Sequence, residues 1–288
     1  MTAARPVLAG CRPPMPYYGG KQRIAGRIVA SFPDHLHYVE PFAGGLSVLL
    51  AKGQSKLETV NDLDHQLVTF WRVLRDRPED LMRACEFTPH SRHELALCRE
   101  PMDGLDEVEI ARRVWSQLVQ GRAGRRTRTG WRYYIDRTST GATMATYLRG
   151  YLDRMMPAAA RLASVQLECM PALQLIDRYG RAPQVLFYVD PPYLASERRS
   201  LQYVHEMHTE AEHVELAEAL NATRASVVLS GYHSALYDRL YRHWDVVEIP
   251  ASTQQSGRDA RRTEVLWLNF TPAQQLPFDL EVVGGDES

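Results

Sequence analysis

The run Phe187-Tyr188-Val189-Asp190-Pro191-Pro192-Tyr193 carries the densest chemistry in this 288-residue chain. Its apolar residues predict a short strand that ends at a carboxylate. Each proline fixes φ and steers the residue before it away from helix, so the backbone leaves the strand extended. A rigid finger results, presenting the Asp190 carboxylate, the Pro191 carbonyl and the flat ring of Tyr193. That set suits a planar amine: two acceptors take its two hydrogens while the ring stacks on its face. A proline-rich exit from a strand is the competing reading of the tetrapeptide alone.

Three other segments carry candidate chemistry. Glu40-Pro41-Phe42-Ala43-Gly44-Gly45 follows a short strand, and its glycines would let the backbone approach a ligand closely. Asp62 comes about 20 residues later, after a second strand, where a carboxylate could accept both hydroxyls of a ribose. An N-cap for the following helix is the simpler role for Asp62. Together the turn and the acid favour an adenosine-containing cofactor, and the absence of GxGxxG argues against a dinucleotide. Pro16-Tyr17-Tyr18-Gly19-Gly20-Lys21 precedes the first helix; its backbone amides and Lys21, one of three lysines, would face an anion such as a carboxylate, and a plain helix N-terminus is the simpler reading.

Positioning these residues requires an α/β sheet. Strands are predicted at 37–40, 57–61, 165–167, 185–189, 227–230, 246–249 and 265–270, with helices at 46–51 and 65–75 between the early ones. The last two strands are joined only by a loop, so one strand must run antiparallel in an otherwise parallel sheet. Between residues 77 and 163 strand signals vanish and helices are predicted, among them 108–119 and 143–156. This stretch reads as an inserted, mainly helical domain, leaving 1–76 and 164–288 as the catalytic domain.

Net charge is −1, so the chain as a whole does not advertise a polyanionic partner. The insert does: Arg112 to Arg154 holds ten arginines against Asp136 and Asp153. Arginine outnumbers lysine throughout the chain, so clustering is the signal, not abundance. Cys11, Cys85, Cys98 and Cys169 show neither disulfide nor metal-ligand spacing. Nor does an apolar run reach the length of a membrane span or a signal peptide core. A cytoplasmic protein without a metal or membrane association is expected.

The four segments, in this order, resemble the Dam-like, alpha-ordered DNA adenine-N6 methyltransferases from Tyr17 to Phe270. The resemblance implies a Rossmann-like, mostly parallel sheet with an inserted DNA-recognition domain. It implies S-adenosylmethionine held by Tyr17, Tyr18, Lys21, Phe42, Gly44 and Asp62, with Asp190 bordering it. The target adenine would be held by Asp190, Pro191, Pro192 and Tyr193, the base having left duplex DNA. Arg122, Arg125, Arg126, Arg128 and Arg132 are the DNA-binding candidates, Arg126 and Arg128 as base readers, with Trp131 and Tyr133 packing the base of their loop. A monomer or weak dimer, with a restriction endonuclease as a further partner, fits the family. Two departures stand out: Leu46 replaces a frequent third glycine, and Pro171-Ala172 replaces an Asp-Phe pair that frames the cofactor adenine. Methylation of the cytosine amine and an inactive DNA-binding module are the alternatives.

Overall fold

A computed structural model describes residues 10–127, 129–133, 143–193, 204–205, 207–251 and 262–272. Its centre is one seven-stranded sheet in the order β3-β2-β1-β4-β5-β7-β6. Strand β1 (His37–Glu40) pairs in parallel with β2 (Leu57–Asn61) and β4 (Val185–Val189). Strand β3 (Gln166–Glu168) extends the sheet beyond β2, and β5 (Ser226–Gly231) extends it beyond β4, both in parallel. Strand β7 (Arg262–Leu268) lies antiparallel between β5 and β6 (Asp245–Ala251). The expected single antiparallel strand is β7, and the sheet is Rossmann-like.

Every residue of β1 and of β4 is buried, as a parallel strand covered on both faces requires. Alternation sends Tyr38, Leu186 and Tyr188 to one face and Val39, Val185, Phe187 and Val189 to the other. The first face is covered by α1 (Ala25–Ala30), α2 (Ser47–Ala51) and α3 (His65–Asp76). The second is covered by α9 (Ala172–Tyr179), α10 (Glu210–Ala222) and α11 (Ala235–Leu240). Sheet order reverses between β1 and β4, and ligands of such sheets bind outside the strand ends at that point. Glu40 closes β1 there, and Asp190 follows β4.

Between β2 and β3, beyond α3, come α4 (Pro78–Glu86), α5 (Arg92–Leu97), α6 (Glu107–Gln120), α7 (Met144–Leu152) and α8 (Met155–Leu162). No strand interrupts them among the described residues. Leu81, Trp115, Leu118 and Leu162 belong to the same apolar cluster as Tyr38 and Leu186, so these helices continue the core. The helix expected over 143–156 is two helices, broken at Asp153 and Arg154. Pro157 explains the break: it lacks the N–H that would bond to Asp153, and the first turn of a helix is where that loss is tolerated.

Leu46, expected as the first residue of α2, instead precedes it in the left-handed region (φ 53°, ψ 29°). This conformation costs an L-residue about 1–2 kcal/mol. Its side chain is fully buried, and that burial contributes about 1.5–3 kcal/mol, enough to hold it there.

Candidate active site

The turn after β1 is built around close approach of Tyr17. A Cβ on Gly44 would lie 2.8 Å from Tyr17 Cε1, and one on Gly45 would lie 2.6 Å from Tyr17 Cβ. Gly44 also adopts φ 46°, so glycine is required there twice over. The Gly44 N–H donates to Asp62 Oδ2 at 2.9 Å, and the Asp64 N–H donates to Asp62 Oδ1 at 2.9 Å. Asp62 thus bridges the turn after β1 to the end of β2. The helix cap falls to Asp64, whose Oδ1 accepts from the N–H groups of Gln66 (3.1 Å) and Leu67 (3.2 Å). The cap role open to Asp62 in the sequence is therefore taken by its neighbour.

Asn61 locks the same corner. Its amide donates to the carbonyls of Pro41 (2.9 Å) and Met170 (3.0 Å), and its Oδ1 accepts from the Met170 N–H (2.9 Å). One side chain thereby ties the exits of β1, β2 and β3. A cavity of about 310 Å³ opens against this corner, in the size range of ligand clefts. Tyr17, Tyr18, Lys21, Phe42, Gly44 and Asp62 all line it, as do Asp190 and Pro192. Pro171 and Ala172 line it too, between Met170 and Leu173, so an apolar wall stands where the Asp-Phe pair was missed. Desolvation at the cavity wall pushes the Asp62 carboxyl up to about 6, although two backbone donors pull it down.

At the β4 end, Lys21 Nζ donates to Asp190 Oδ1 at 2.9 Å and to Tyr193 Oη at 2.6 Å. Glu264 Oε1, on β7, lies 3.4 Å from the same ammonium. Tyr193 Oη lies 2.9 Å from Glu264 Oε1, and Ser230 Oγ donates to that oxygen at 2.6 Å. Asp190 keeps about 20% of its side-chain surface open, whereas Lys21 and Glu264 are nearly enclosed at 7% and 4%. Burial raises the Asp190 pKa, the Lys21 ammonium opposes that rise, and Glu264 adds to it. Glu40, buried beneath, is pushed up to about 8 by desolvation, with Tyr38 Oη donating to it at 2.9 Å. Pro191 is buried beside them. Sequence reasoning left Glu264 without a role and missed Asn61 and Ser230. Only the order of the sheet brings β5, and β7 beyond it, to the side of the site next to β4.

The arginine candidates divide. Arg125 lies over the ring of Tyr18, which lines the cavity, at 4.3 Å. Arg126 is buried against Asp64 and Gln66. Arg122 is exposed and sits 5.9 Å over Tyr133, while Arg132 lies 4.8 Å over Tyr147. Arg128 lies outside the described residues. Trp131 stacks on His90 at 4.5 Å and on Tyr133 at 5.3 Å, and Arg92, which the sequence did not single out, lies 4.6 Å over Trp131.

Residues 17–255 match the family described as D12 class N6 adenine-specific DNA methyltransferase, a span that contains almost all of these residues. The chain belongs to this family. The protein is therefore an adenine-specific DNA methyltransferase, and its methyl donor is S-adenosylmethionine. It is 24% identical over 285 residues to the Type II methyltransferase M1.LlaDCHI of Lactococcus lactis subsp. cremoris, covering 90% of this chain and 95% of that one. Among solved structures it is similar to the rRNA methyltransferase AviRa of Streptomyces viridochromogenes: 13% identity, 92% and 91% coverage, TM-score 0.35. An rRNA methylase of Streptococcus thermophilus aligns at 9% identity, 85% and 94% coverage and TM-score 0.33.

The methyltransferase cavity suits its donor. The side-chain-free Gly44-Gly45 turn lets Tyr17 pack directly onto it at the cavity wall, and Asp62 offers acceptor lone pairs there. Apolar Phe42, Met170 and Leu173 offer surface for a flat base. No helix among the described residues is long and apolar enough to cross a membrane.

Proposed function

We propose that this methyltransferase is site-specific and acts on adenine turned out of duplex DNA, with Asp190, Pro191 and Tyr193 receiving the base. The observation that carries this reading is the Asp190 carboxylate, beside the cavity at the end of β4 and held by Lys21. When bound, S-adenosylmethionine supplies an electrophilic methyl group. Tyr17, Tyr18, Phe42, Gly44 and Asp62 would hold it, with Lys21 and Pro192 at the boundary to the base.

The adenine amine is a weak nucleophile because its lone pair is delocalised into the ring. Accepting both of its hydrogens, at Asp190 Oδ and the Pro191 carbonyl, favours the pyramidal nitrogen that attack requires. Lys21 fixes the orientation of Asp190 and offsets the negative charge that Asp190 and Glu264 bring together. Extruding a base costs a few kcal/mol. Stacking on Tyr193, worth about 1–3 kcal/mol per base on an aromatic ring, offsets much of that. Helical region 77–163 supplies the DNA contacts in this reading, through Arg122, Arg132 and Arg92. A cytoplasmic location and a restriction endonuclease as a further partner belong to the same reading.

The test uses the full chain with isotopically labelled S-adenosylmethionine and duplexes that contain or lack adenine. Label is expected only in adenine-containing DNA, and 2-aminopurine placed at the modified position should brighten on binding. Equal labelling of both duplexes, or an unchanged signal at the modified position, would overturn the reading.

A further inference from the structure

The arginine-rich segment of the helical region reaches the cofactor side of the molecule. The Tyr18 N–H donates to the Gly124 carbonyl at 2.8 Å. Gly124 takes φ 61°, and a Cβ there would lie 2.9 Å from Pro16 C and 3.0 Å from Tyr17 N. Trp115 Nε1 donates to the Pro14 carbonyl at 2.9 Å from the same helical region. So the segment carrying Tyr17 and Tyr18, which lines the cavity, is held by this region.

Two residues after Gly124, the Arg126 guanidinium donates to Asp64 Oδ2 and to Gln66 Oε1. Arg126 and Asp64 expose only 7% and 8% of their side chains. Asp64 is the residue whose N–H donates to Asp62 Oδ1 and whose other oxygen caps α3. A chain of contacts thus runs from Arg126 through Asp64 to Asp62. A guanidinium so enclosed reaches no base edge unless it abandons Asp64 without a cation.

We propose that Arg126 is a positioning residue of the cofactor site, fixing Asp64 and through it the Asp62 carboxylate that accepts the ribose of S-adenosylmethionine. This rests on the reading of Asp62 as the ribose acceptor. It removes Arg126 from the set that reads DNA and gives the second arginine of Arg125-Arg126 a role that charge clustering alone misassigns.

Calorimetric titration of the full chain with S-adenosylmethionine tests it. Arg126→Ala should raise Kd roughly tenfold, within the span of coupling found for contacting pairs. Arg126→Lys should recover part of the loss. Asp64→Asn retains a capping side chain. In that background Arg126→Ala should change Kd no further, whereas a merely structural loss would add. DNA affinity measured without cofactor should be the same for Arg126→Ala and the parent. Unchanged cofactor Kd in Arg126→Ala, additive effects with Asp64→Asn, or weakened DNA binding would each overturn the proposal. Asp62→Ala run in parallel separates the two readings. If it leaves Kd unchanged, the ribose reading fails and takes this proposal with it; if it weakens binding while Arg126→Ala does not, only this proposal fails.

Discussion

Asp62→Asn removes a charge from the cavity wall while keeping the shape of the side chain. Displacement of the carboxyl from 3.8 to about 6 means that ionised Asp62 costs the fold up to about 3 kcal/mol at pH 7. The sign follows from linkage: an acid raised on folding loses stability for the native state as pH climbs from about 3.8 to about 6. Asparagine escapes that cost but presents an NH2 to one of the two N–H donors, Gly44 or Asp64, a loss of about 1–3 kcal/mol. These terms nearly cancel, so the melting temperature should move by less than about 4 °C. Cofactor affinity has no such compensation. Losing charge-assisted hydrogen bonds to the ribose costs about 1.5–3 kcal/mol, a Kd roughly 10- to 150-fold higher. In the parent, Kd should be flat above about pH 7 and rise as pH falls through about 6, while the variant lacks that step. Calorimetry across this range provides the assay. A variant that binds like the parent, or a parent curve flat from about pH 5 to 8, would refute the ribose role, since protonation alone should weaken it.

Glu264→Gln removes a negative charge that raises the Asp190 pKa, so the acidic limb of the methyl-transfer rate should move to lower pH; a limb that stays put or moves up would show that Glu264 does not act on Asp190. Leu46→Gly relieves about 1–2 kcal/mol of left-handed strain. It also deletes a fully buried side chain worth about 2–5 kcal/mol, so denaturant unfolding should show a net loss of up to about 4 kcal/mol, and a stabilised variant would contradict this.

Much of the sheet was legible because parallel strands buried on both faces read as short apolar runs, as Val185–Val189 does. The segment Asp190 to Tyr193 was legible because its chemistry is local: strand, carboxylate, prolines and ring are consecutive. Asp62 and Asp64 show where local reading stops. Two carboxylates precede one helix, both able to cap it, and only the position of the Gly44 N–H assigns Asp62 to the wall and Asp64 to the cap. Glu264 was opaque for another reason. It meets Lys21 across most of the chain, and β7 inserts between β5 and β6, which periodicity does not encode. The pairing of Arg126 with Asp64 was not legible, because charge clustering says where cations are dense and nothing of which ones find carboxylates. Leu46 kept helical spacing in the sequence, while its backbone serves the turn that brings Gly44 to Asp62.

The central claim, that Asp190 presents the adenine amine for methylation and does not hold the cofactor, is tested most directly by nucleoside mass spectrometry of reacted duplex DNA. The parent enzyme should yield N6-methyldeoxyadenosine. Asp190→Ala should yield none above background while binding S-adenosylmethionine within about threefold of the parent, the pattern of an interaction spent on the transition state. A methylated cytosine as the product, or an Asp190→Ala variant that turns over at near-parental rate, would contradict the account.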